Sequence, residues 1–164
     1  MNLTAISIIT LSIFCTLNAE SHPLQTDSES PSDKKTQEVS LEKDIVYATI
    51  NGKNLLLDII TPLGQSEERK PVIVWIHGGA WLAGNKDHNY ASFLSQHGYI
   101  TVSINYRLSQ EAIWPAQIHD CKAAIRFLRA HAQQYQIDPD RIGVWGDSAG
   151  GHLVAMLGTS GDRK

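Results

Sequence analysis

Apolar residues recur in two distinct rhythms from about position 41 onward. Residues 45–50 and 55–60 are short apolar-rich runs on either side of Asn51-Gly52, which predicts two strands joined by a tight hairpin turn. A polar stretch over 61–70, containing Pro62 and Gly64, predicts a loop. The run Val72-Ile73-Val74-Trp75-Ile76 is continuously apolar, the pattern of a strand covered on both faces. Asp87 is placed to cap a helix reaching about Gln96, and Gly98 to end it. Residues 99–105 predict a fourth strand. Pro115 suits the first position of a helix that runs to about Gln134. On that helix Ile118, Cys121, Ile125 and Leu128 fall at helical spacing and define the face turned to the sheet. A last strand is predicted over 141–145 and a last helix over 151–157. The alternation of strands and helices predicts an α/β fold: an antiparallel start, then a mostly parallel sheet with helices on both faces. No internal repeat is visible.

The first 40 residues follow neither rhythm. Residues 1–19 carry no charged side chain, and residues 3–17 are apolar with interspersed Ser and Thr. Leu17-Asn18-Ala19 ends on a small residue, so 1–19 reads as a signal peptide cleaved near Ala19, although the usual Lys or Arg at the start is missing. The expected location is therefore secreted or periplasmic, with no stable membrane association after cleavage. Bulky Phe14 before Cys15 argues against lipid attachment there. Residues 20–40 are rich in Ser, Asp, Glu, Lys and Pro and nearly devoid of large apolar groups, so they read as a disordered linker. Residues 41–164 are the folded part. The 164-residue chain has a net charge of −3, 42% apolar and 19% charged residues, which fits one globular domain and gives no sign of a nucleic-acid partner.

Two motifs carry chemistry. Gly146-Asp147-Ser148-Ala149-Gly150 reads G-x-S-x-G between a predicted strand and a predicted helix. That context presents a serine hydroxyl clear of its backbone, with glycines at the crowded positions and the Ala149 N–H aimed where an oxyanion would form. Alone, the motif also arises by chance in loops. It gains weight from His77-Gly78-Gly79-Ala80-Trp81, which follows the apolar strand and can expose backbone N–H groups to a substrate oxygen. The segment 79–86 superficially suggests a phosphate-binding loop. Asn85 stands before Lys86, and Asp87 replaces the required hydroxyl residue, so nucleotide binding is not expected. Cys121 is read as a core residue, and His119 and His131 as solvated or capping groups. No metal-ligand spacing and no cofactor motif is present.

These two motifs, with Asn105-Tyr106-Arg107-Leu108, the segment 115–120 and the segment 138–142, resemble the carboxylesterases of the hormone-sensitive-lipase-like and bacterial feruloyl-esterase-like groups of the α/β-hydrolase superfamily. The resemblance extends from about Leu41 to the C-terminus. It implies a serine ester hydrolase acting through an acyl-enzyme on a small-molecule ester, without cofactor or metal. Ser148 is then the nucleophile, Gly78, Gly79 and Ala149 are the oxyanion donors, and His77 braces the oxyanion loop. Ala80 stands where many members carry a third Gly.

The catalytic acid and base are not evident. In this fold they follow the serine, acid first and His last. After Ser148 come His152, on the elbow helix itself, and Asp162, with no His beyond it. The chain therefore reads as the N-terminal part of the domain, truncated after the elbow, with the last strand left as an open edge prone to association. Two other readings are an inactive remnant or binding module, and a serine peptidase of the same fold. Trp81, Tyr106 and Trp114 are candidates to line the site or simply to pack.

Overall fold

A computed structural model describes residues 37–64 and 68–161. The proposed signal peptide and all but the last four residues of the proposed linker lie outside them. The elements in order are β1 (Val39–Ile50), β2 (Lys53–Pro62), β3 (Lys70–Ile76), a 3₁₀ helix (Ser92–His97), β4 (Ile100–Ile104), α1 (Ala116–Ala130), β5 (Ile137–Gly146) and α2 (Ser148–Thr159). The five strands form one mixed sheet in the order β1-β2-β4-β3-β5. β1, β2 and β4 pair antiparallel, whereas β3 lies parallel to both β4 and β5.

The hairpin forms as expected. Asn51 and Gly52 both take positive φ, 50° and 78°, which matches the twist of the flanking strands. β1, however, begins at Val39, inside the stretch read as linker. The charged run Glu42-Lys43-Asp44 hides the alternation. Asp44 sits at φ 59° in a register shift, and Val39–Glu42 pairs with Pro62–Ile59 before that shift.

One face of the sheet carries Leu57, Ile59, Val72, Val74, Ile76, Ile100, Val102 and Ile104, all at most 1% exposed. Both α-helices cover it. The predicted face of α1 is the observed one, with Ile118, Cys121, Ile125 and Leu128 in the core. Full burial of each such aliphatic side chain contributes about 1.5–3 kcal/mol. Burial also pushes the Cys121 thiol above its usual range, consistent with a packing role. The opposite face carries Asp58, Trp75, Thr101 and Ser103, and the 3₁₀ helix lies over its β2–β4 portion, where Ser95 Oγ meets Thr101 Oγ1 at 2.8 Å.

Five boundaries differ from the sequence-based expectation. Asp87 caps no helix: its carboxylate faces Lys86 Nζ, and the helix is a 3₁₀ segment entered through an Asn89 turn (Ala91 N–H to Asn89 Oδ1, 3.0 Å). Gly98 does end it, at φ 87°. α1 stops at Ala130 rather than near Gln134, and Pro115 occupies its N-cap instead of its first turn. β5 starts four residues early, at Ile137, and α2 begins at the serine itself.

Candidate active site

Ser148 stands where β5 turns into α2. Its φ of 48° is the strained left-handed conformation that a sharp strand-to-helix turn imposes on its tip residue. The side chain is exposed, and its hydroxyl makes no hydrogen bond among the described residues. The glycines around it are needed for close packing. A methyl group at Gly150 would collide with the Ile76 carbonyl and lie 2.7 Å from that of His77; one at Gly146 would lie 2.6 Å from Ile76 O. The elbow is thus pressed onto the end of β3, the point from which the His77-Gly78-Gly79 loop departs.

That loop is held from several sides. The His77 ring stacks on Tyr106 at 4.3 Å with its plane 12° away, and Nδ1 lies 2.8 Å from Gly78 O. Tyr106 Oη donates to His77 O at 3.0 Å and reaches Gly78 O at 3.3 Å. Tyr106 is therefore buried support for the loop and not pocket lining. Burial lowers the His77 pKa, opposed by its bond to Gly78 O and by the Asp147 charge. The ring thus sits between the Tyr106 ring and the Gly78 carbonyl.

Gly78 departs from the expected role. Its N–H donates to Asp147 Oδ1 at 2.8 Å, so it is not available to a substrate oxygen. The loop turns back just after it: Leu82 N–H and Ala83 N–H both donate to Gly79 O, at 2.9 and 3.0 Å. Gly79, Ala80 and Trp81 all take positive φ, at 98°, 53° and 60°. Among the described residues the N–H groups of Gly79, Ala80 and Ala149 carry no hydrogen bond outside regular elements. Ala80 thus joins Gly79 and Ala149 as a free donor in place of Gly78. The deciding contact spans 69 residues, so no local signal announces it.

His152 is exposed, and its ring lies 5.5 Å from Trp81 and 5.6 Å from Trp114. It makes no described contact with Ser148. Trp81 and half-exposed Trp114 flank it on the side of the elbow, and Asp162 lies outside the described residues. Lys86, at the far end of the oxyanion loop, is 5% exposed and clasped by Asp44 (2.8 Å), Asp58 (2.9 Å) and Asp87 (3.4 Å). Its charge is neutralised internally, which removes the cation that the phosphate-loop reading needed. Sequence reasoning also missed the Arg107–Asp120 pair. Asp120, fully buried, accepts from Arg107 Nη2 (2.7 Å), Nε (2.9 Å) and backbone N–H (2.9 Å), tying the segment after β4 to α1.

Comparison with known proteins identifies the family and the fold. The BD-FAE family model matches residues 57–164. The probable carboxylic ester hydrolase LipM of Mycobacterium tuberculosis is 46% identical over 89 residues, which is 52% of this chain and 21% of that protein. Esterase LipQ of the same organism is 40% identical over 121 residues, 71% of this chain and 28% of that one. Among solved structures, apo esterase 2 of Thermogutta terrifontis superposes with a TM-score of 0.62 at 28% identity, over 78% of this chain and 48% of its own. The chain spans about a fifth to a third of the curated relatives it matches and about half of that structure. With that family model matched over residues 57–164 and a fold shared with solved esterases, the chain belongs to the BD-FAE family of α/β-hydrolase carboxylesterases.

Proposed function

We propose that the chain carries the nucleophile half of a serine carboxylesterase. Ser148 attacks the ester carbonyl. The N–H groups of Gly79, Ala80 and Ala149 receive the developing oxyanion, and each such donor is worth about 3 kcal/mol in the barrier. His77 and Tyr106 keep the loop in shape. The general base and its orienting carboxylate come from sequence beyond these residues, because His152 sits among tryptophans and makes no bond to the serine. Residues 1–19 direct secretion, and the mature chain begins near Glu20.

One observation supports this reading most strongly: an exposed serine with φ 48° at a strand-to-helix turn, wedged against the strand that leads into a loop with free N–H groups. The test is hydrolysis of p-nitrophenyl butyrate by the full-length protein and its Ser148→Ala variant. Loss of activity by about 10⁴-fold or more supports the proposal. Retained activity in the variant, or a parent that cleaves peptides but not esters, overturns it.

A further inference from the structure

The carboxylate beside the nucleophile has no place in the acyl-transfer chemistry, yet it makes the direct polar link between the two halves of the site. Asp147 Oδ1 accepts the Gly78 N–H at 2.8 Å, from a backbone in extended conformation at φ −110°, ψ 150°. The fit is tight on both sides. A methyl group on Gly78 would lie 2.6 Å from Asp147 Oδ2, 3.0 Å from its Cγ and 3.0 Å from its backbone oxygen. Only a residue without Cβ allows the loop to settle so deeply against the carboxylate.

Resting on the proposed function, we infer that Asp147 is a positioning residue that clamps the oxyanion loop onto the nucleophile elbow through the Gly78 N–H. The Gly78 N–H and the Gly79 N–H belong to consecutive peptides. Fixing the first peptide by a hydrogen bond, while Tyr106 Oη holds the carbonyls of His77 and Gly78 from the other side, leaves the second peptide little rotational freedom. The Gly79 and Ala80 N–H groups are thereby aimed before substrate arrives. Such preorganisation acts on the transition state, so its loss appears in kcat and not in KM. The anionic charge itself is not required. A negative group near a developing oxyanion opposes it, so the useful property of Asp147 is an acceptor oxygen at the right place.

The experiment compares Asp147→Asn, Asp147→Ala and Gly78→Ala in the full-length protein. Asn keeps an acceptor oxygen; Ala removes it; Gly78→Ala keeps the carboxylate but blocks its approach. The expected result with p-nitrophenyl butyrate is a kcat about 10–100-fold lower for Asp147→Ala and Gly78→Ala, with KM within about twofold of the parent. Asp147→Asn should recover kcat to within about threefold. Amide hydrogen exchange of Gly78 supplies a readout independent of catalysis: it should accelerate in Asp147→Ala and remain protected in Asp147→Asn. Parent-like kcat and Gly78 exchange in Asp147→Ala would overturn the inference, as would an Asn variant as impaired as the Ala variant. If the Ser148→Ala control keeps full activity, the ester-hydrolysis proposal fails instead, and the Gly78 exchange still decides the clamp.

Discussion

Asp120 offers the sharpest stability test. It is fully buried and accepts three hydrogen bonds from Arg107, two from the guanidinium and one from the backbone N–H. Replacing it with Ala leaves a guanidinium that is only 16% exposed without its counter-charge and orphans a part-buried amide. Removing one partner of a buried pair costs about 3–5 kcal/mol, and an unsatisfied backbone donor about 1–3. Arg107 keeps some contact with water, which places the expected total near the lower bound of that sum, about 4 kcal/mol. A domain of this size has only about 5–15 kcal/mol of stability, so most of the margin would go. Urea unfolding of the full-length protein, followed by tryptophan fluorescence, reads the change directly. With m of about 2 kcal/mol/M the midpoint should fall by about 2 M at unchanged m. The companion Arg107→Met/Asp120→Leu protein, which removes both charges together, should recover most of the loss. A midpoint shift below about 0.5 M for Asp120→Ala, or a double variant no better than the single, would refute the view that this pair anchors α1 to the strand ends.

The Lys86 network predicts a broad pH plateau. Hydrogen bonds and charge from Asp44, Asp58 and Asp87 raise the Lys86 pKa despite its burial, so its contribution is complete below the ordinary lysine value of about 10.4 and fades only as pH climbs beyond it. The Asp44 pKa is lowered by Lys86, so that contribution is complete above about 3.9 and fades as pH falls further. The difference in urea midpoint between the parent and Lys86→Met should therefore be flat from pH 5 to 9; a difference that vanishes inside that window would contradict the pairing. His77 acts oppositely to a paired histidine. Its folded pKa is depressed, so stability should drop as pH falls below about 6.5, and His77→Gln should flatten that limb of a Tm-versus-pH curve. Gly150→Ala should drive α2 off the end of β3, because its methyl group meets carbonyl oxygens that cannot swing aside. A loss of about 3 kcal/mol or more in stability is expected, and a variant with parent-like Tm would count against the packing described.

The parts legible in the sequence are those specified by near neighbours. Asn51-Gly52 sets the hairpin through its own dihedral preferences, Gly98 ends the 3₁₀ helix for the same reason, and the apolar face of α1 repeats within its own turns. The elbow and the His77 loop announce themselves because the chemistry requires specific residue types at fixed local offsets. What stayed hidden depends on partners far along the chain. Asp87 has the composition of a helix cap, but Lys86 draws its carboxylate away, and the buried lysine in turn depends on Asp58 and on an Asp44 displaced by the shift in β1. The charged residues 42–44 concealed the strand on their N-terminal side for the same cause.

The site follows the same division, and the division explains the one change of role within it. Gly78 and Gly79 are adjacent, chemically identical and equally suited by sequence to donate to an oxyanion. They are distinguished only by which one meets Asp147 when β5 packs parallel to β3, with Ile76 level with Gly146. Register across the sheet thus engages the first glycine in structure, and in the proposed mechanism the donor set moves one residue along, to Gly79 and Ala80. Ala80 fits that position because a donor needs only its N–H, and at φ 53° it accepts a left-handed conformation of the kind that costs a non-glycine residue about 1–3 kcal/mol. The surroundings that hold it there are the Asp147 contact, the Tyr106 bonds and the turn onto Gly79 O, so the strain in the loop and the packing of the elbow are parts of one arrangement.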